Sequence, residues 1–181
     1  MEVSRECEIG LTSPQELDTL WFLKLKEWVT KLGVNNVVFK VADFSSKITF
    51  SFEVLRNISI PPPCHVKHLK LSGRSYRVGV LNLDALVDGL PWSCRPETLS
   101  IAEAPDIGTK FAKALCEKLV SQKSRQRCCG SSPVACWLHC LKDVKIALLA
   151  GTDKKALDCH SLLQALPTLI RHHHISFNFR W

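Results

Sequence analysis

The apolar positions of this chain recur in one short pattern. In Cys64-His65-Val66-Lys67-His68-Leu69-Lys70-Leu71 the order is apolar, two spacers, apolar, one spacer, apolar, at Val66, Leu69 and Leu71. Side chains alternate faces along a strand, so Leu69 and Leu71 are expected on one side and His68 and Lys70 on the other. The same spacing returns at Val34, Val37, Phe39 and at Leu141, Val144, Ile146. A weaker copy has Pro96, Leu99, Ile101, and the chain closes on an alternating Ile175, Phe177, Phe179. Successive copies stand about 30 residues apart, with one gap of about 45, and a period of that size signals a solenoid.

Helical periodicity fills most of the intervals. Ser13-Pro14-Gln15-Glu16 offers an N-cap, a first-turn proline and a glutamate able to bond back to the cap, predicting a helix over residues 14–32. Leu25, Trp28, Val29 and Leu32 make its apolar face, Leu17, Leu20 and Trp21 extend it, and Gly33 stops it. Residues 42–60 read both ways: Ile48, Phe50 and Phe52 alternate like a strand, whereas Phe52, Leu55 and Ile58 have helical spacing. A short outer helix near residues 51–57 is the preferred reading, with Pro61-Pro62-Pro63 enforcing an extended approach to the next strand. Further stripes run through Val80, Leu83, Leu86, Val87 and Leu90, ending at Pro91, and through Ile107, Phe111, Ala114, Leu115 and Leu119. A last stripe joins Leu157, Leu162, Leu163, Leu166 and Leu169, interrupted by Pro167. Alternating helix and strand predicts one α/β domain over residues 13–181 after an irregular polar leader at 1–12. The sheet is expected to be parallel and concave, with helices on the convex side.

Composition narrows the class. With 181 residues, 46% of them hydrophobic, the chain can bury the core of one domain and does not have the make-up of a disordered one. No apolar run is long enough to span a bilayer and residues 1–15 hold no signal-peptide segment, so no membrane partner and a cytoplasmic or nuclear location are expected. Nine cysteines, an odd number without an export signal, read as reduced thiols rather than a disulfide framework. The net charge of +7 is scattered. Its densest part, residues 118–127 with Lys118, Lys123, Arg125 and Arg127, lacks interleaved aromatics and reads as a solvated helix end, not a nucleic-acid contact.

In a solenoid, residues between the inward apolar positions line the concave sheet face. His68, Lys70, Ser100, Asp143, Lys145 and Asn178 are the candidate binding residues, with Asn36, Val38, Thr98 and Ser176 beside them. Open sheets of this kind bind other proteins, so an unknown protein target is the expected partner.

Two other chemistries compete. Cys128, Cys129, Cys136, His139 and Cys140 place five soft ligands close together and suggest a small zinc-stabilised binding domain. Their spacing does not match paired zinc knuckles, so the thiols are read as packed or loop cysteines and no metal or other cofactor is expected. Asp158-Cys159-His160 has the residue types of a thiol nucleophile, but adjacent helical residues point about 100° apart. His172-His173-His174 reads as a solvated turn. With no phosphate loop, carboxylate pair or HExxH helix, the chain is not read as an enzyme.

Three segments carry a family resemblance: residues 64–71, Asp88-Gly89-Leu90-Pro91-Trp92-Ser93-Cys94-Arg95-Pro96-Glu97-Thr98-Leu99-Ser100, and Cys136-Trp137-Leu138-His139 leading to Leu141-Lys142-Asp143-Val144-Lys145. Together they resemble the irregular leucine-rich-repeat region of plant F-box proteins, over roughly residues 14–181. The resemblance implies a leucine-rich-repeat solenoid that captures a target for a cullin-type ubiquitin ligase, with a final strand like residues 175–181 ending the array. The F-box that docks the Skp adaptor has no counterpart here, and Ser72, Ala102 and Ala147 stand where regular repeats carry asparagine. A truncated paralogue, without function of its own, or a fragment of a longer product is therefore a further expectation.

Overall fold

The apolar triplets become strands that lie side by side. The structure, a computed structural model, describes residues 6–11, 16–41, 47–56, 58–73, 82–102, 107–121, 136–169 and 173–181. In chain order its elements are β1 (Glu6–Leu11), α1 (Thr19–Leu32), β2 (Asn36–Val41), α2 (Phe52–Leu55), β3 (Val66–Gly73), α3 (Leu83–Cys94) and β4 (Pro96–Ala102). There follow α4 (Ile107–Ser121), α5 (Trp137–Cys140), β5 (Asp143–Ala150), β6 (Asp153–Leu157), α6 (Cys159–Ala165), a 3-10 turn (Leu166–Thr168) and β7 (His173–Arg180).

These strands form one sheet in the order β1-β2-β3-β4-β7-β5-β6. The first four are parallel and adjacent in chain order. The sheet is mixed rather than parallel throughout, because β7 pairs antiparallel with both β4 and β5, and β6 pairs antiparallel with β5. The last strand, expected to end the array, lies inside it. An interior place buries Ile175, Phe177 and Phe179, and the edge falls to β6, whose Lys154 and Lys155 are exposed.

Register explains the triplets. Cys7, Val37, Leu69, Leu99, Phe177, Ile146 and Leu157 face one another in a row across all seven strands. Ile9, Phe39, Leu71, Ile101, Ile175 and Leu148 make a second row. The triplets' first positions, Val34, Val66, Pro96 and Leu141, are buried as well. Val66 has the parity of the exposed Lys70, yet it belongs to the core. At this strand entry the N–H groups of Lys67 and His68 both donate to the Asn35 carbonyl, at 2.8 and 3.1 Å. That doubling shifts the alternation by one residue, as a bulge does, and accounts for the two-residue spacer.

The helices bury their inner faces against these rows in a single core. Helix α3, between α1 and α4, is buried over most of its length, from Ala85 to Cys94. It runs through Pro91 instead of ending there. Helix α1 differs from expectation in start and phase. Asp18 caps it, accepting from Trp21 N at 2.8 Å, while Ser13 and Pro14 lie outside the described residues. Its buried side is Thr19, Phe22, Leu23, Leu25, Lys26 and Val29, so Trp28 and Leu32, expected in the core, are exposed. Residues 6–11, read as irregular leader, form β1, in which Cys7 and Ile9 alternate with Glu6 and Glu8. The short helix expected near residues 51–57 is α2, capped by the Ser51 side chain.

Candidate functional site: the open sheet face

One face of the sheet carries the core rows and the other carries polar rows. Glu6, Asn36, His68, Thr98, Asn178 and Lys145 stand in register across β1, β2, β3, β4, β7 and β5. The adjoining row is Glu8, Val38, Lys70, Ser100, Ser176 and Ala147, and Asp143 faces Arg180 one step beyond. Of these only Ala147 is buried; the rest are exposed or half-buried. All six candidate residues thus share this face. His68, Asn178 and Lys145 lie in one row, Lys70 and Ser100 in the next, and Asp143 at the β5–β7 end. With strands about 4.8 Å apart, His68 and Lys145 are separated by roughly 14 Å, the reach of a partner's strand or helix.

Local contacts hold the face together weakly. Thr98 Oγ1 and Asn178 Oδ1 are 3.2 Å apart, the hydroxyl donating across the β4–β7 seam. Lys40 Nζ lies 2.7 Å from Glu8 Oε2, an exposed ion pair of small worth. Partial burial, and then the ammonium of Lys70, lower the proton affinity of His68, while Glu6 opposes them. With the proton affinity of His68 lowered, Lys70 beside it and Lys145 three strands away leave a face with positive points, short hydroxyls and amides. Its β1 end adds Glu6 and Glu8, and its β7 end Arg180, which sequence reading missed. The alternation of Glu6, Cys7, Glu8 and Ile9 was the available signal.

The competing clusters are distributed differently. Cys128 and Cys129 lie outside the described residues. Cys136 is buried before α5, His139 is exposed, and Cys140 accepts from Arg95 Nη2 at 3.2 Å. Among the described residues no three His, Cys, Asp or Glu side chains are grouped to hold a metal. His172 also lies outside them, and His173 and His174 begin β7. Lys118, read as part of a solvated basic patch, reaches across to Asp88 on α3 and pairs with its Oδ2, while Trp137 Nε1 donates to Asp88 Oδ1 at 3.3 Å. Lys123, Arg125 and Arg127 lie outside the described residues.

A second surface lies at the sheet's β1 edge. There Ile9, Trp21, Leu25 and Trp28, with Lys24, Glu27 and Lys31 at the rim, line an open groove of about 400 Å³. No helix among the described residues is long and apolar enough to cross a membrane. The chain matches no family model, no curated protein and no solved structure.

Proposed function

We propose that this chain is a protein-binding module, an irregular leucine-rich-repeat array that captures a target on the open face of its sheet. The observation that carries the reading is the polar register: one parallel and two antiparallel strand pairings align His68, Thr98, Asn178 and Lys145 in one row and Lys70, Ser100 and Ser176 in the next. A rigid sheet backed by helices presents such rows without conformational cost, and a few of their side chains suffice to choose a partner. The repeat reading is supported by β1 to β4, which add in parallel in chain order and carry Val37, Leu69 and Leu99 at one register position. Through its resemblance to plant F-box proteins the captured protein is a substrate delivered to a ubiquitin ligase in the cytoplasm or nucleus. Reversing the charges of Lys70 and Lys145 tests the reading, with loss of target capture as the expected result.

A further inference from the structure

The two edges of the sheet differ in charge. Among the described residues β1 pairs with β2 alone and β6 with β5 alone. Glu6 and Glu8 are exposed on β1, and Lys154 and Lys155 are exposed on β6. We propose that the chain associates head to tail with further copies of itself, β6 of one copy pairing antiparallel with β1 of the next so that the sheet continues from copy to copy.

The rows of the sheet set the register of this contact. β6 runs against β1, β2, β3, β4 and β5, so a copy placed beyond β6 with its polar face on the same side presents an antiparallel β1. Extending each row straight into that copy sets Leu157 against Cys7, Ala156 against Glu8, Lys155 against Ile9 and Lys154 against Gly10. Cys7, Ile9 and Leu157 are the half-buried ends of the core rows, and the added strand covers them. Lys155 is on the helical side and enters the groove lined by Ile9, Trp21 and Trp28, where its stem covers apolar surface and its ammonium ends at the rim that holds Glu27.

Charge selects this pairing over the symmetric ones. From β2, Lys40 stands opposite Gly10 and reaches diagonally to Glu8, its Nζ 2.7 Å from Oε2. Lys154 of the preceding copy takes the corresponding place on the other side of β1, so that Glu8 lies between two ammonium groups. Pairing β1 with β1 would instead gather the glutamates of two copies, and pairing β6 with β6 their lysines, and like charges across strands repel. The flanking carboxylates are engaged elsewhere: Asp153 closes the turn between β5 and β6, and Asp158 caps α6, accepting from Ser161 N at 2.7 Å. Because β6 has only five residues, the association is weak and depends on concentration. A contact between two different edges leaves one of each free at the ends and builds open chains. The inference does not depend on target capture by the open face.

The test is sedimentation velocity with light scattering on the full chain, kept reduced with dithiothreitol, over a concentration series. The mean mass is expected to rise with concentration from the 20.4 kDa of one chain to about twice that value or more, and to fall back in high salt. Glu8→Lys and Lys154→Glu, both at exposed sites, are each expected to remain monomeric, since the facing positions then carry like charge. An equimolar mixture of the two variants is expected to regain the association, because every edge again meets its opposite. The mass of one chain at all concentrations would overturn the proposal, as would association that survives either charge reversal. A mixture that stays monomeric although the wild type associates would overturn it as well.

Discussion

The ring of Phe22 on α1 occupies the space beside Gly89 on α3, where an added β-carbon would lie 2.5 Å from Cε1. The two helices cross at this point, and the closeness depends on the absence of a side chain. Ser93, one turn on, is fully buried with its Oγ 3.0 Å from the Phe22 carbonyl and 2.7 Å from that of Gly89. Gly89→Ala brings a better helix former but must push a completely buried ring aside. The expected net cost is about 1–3 kcal/mol by urea unfolding. Phe22→Leu combined with Gly89→Ala should cost less than the sum of the single changes, since the leucine vacates the contact. Additive costs would show that the ring is not the obstacle.

Asp88 joins three helices, pairing with Lys118 of α4 and accepting from Trp137 Nε1 of α5. Trp137 is fully buried, so removing the carboxylate leaves its indole N–H without that acceptor. Asp88→Ala is expected to cost about 2 kcal/mol, and Lys118→Ala clearly less, because its ammonium can be replaced by water at a partly open site. Equal losses in thermal or urea unfolding would contradict this ranking.

Lys26 lies in the buried face of α1, 3% exposed, with Nζ 3.5 Å from the Trp92 carbonyl and 4.8 Å from the centre of its ring. Burial disfavours the ammonium and lowers its proton affinity below the ordinary value of 10.5. The unfolded chain then holds this proton more tightly than the folded one. Stability gained from deprotonation therefore rises with pH in the window between the lowered value and 10.5. Lys26→Met keeps the stem and removes the charge, so at neutral pH it should be as stable as the wild type to within about 1 kcal/mol, or more stable. The variant should also lose the alkaline rise relative to the wild type. Parallel pH profiles of unfolding would contradict the assignment.

Lys26 also shows where sequence reading ended. The period of α1 is legible, and Leu25 and Val29 are buried as expected, but a lysine in a core position hides the phase: Trp28 and Leu32 lie exposed, while Phe22 and Lys26 are buried. Five strands were legible because Val37, Leu69, Leu99, Ile146 and Phe177 all serve the same core row. β1 and β6 were not, because edge strands carry charge: Glu6 and Glu8 in one, Lys154 and Lys155 in the other. Gly151, at φ 61°, makes the two-residue turn that returns β6 against β5, a local signal that the solenoid pattern overshadowed. The antiparallel insertion of β7 was beyond reach, since alternation fixes a strand's faces but not its neighbours. For the same reason the polar face could be assembled residue by residue, from parity alone.

The most direct measurement is capture of proteins from a cell extract by the immobilised wild-type chain and by Lys70→Glu/Lys145→Glu, with Lys110→Glu on the exposed side of α4 as the control. A specific target should be retained by the wild type and by the control, and lost or weakened roughly tenfold or more by the double face variant, as opposed charges at a recognition surface require. Equal retention of the same target by the face variant, folded as judged by its Tm, would contradict the account.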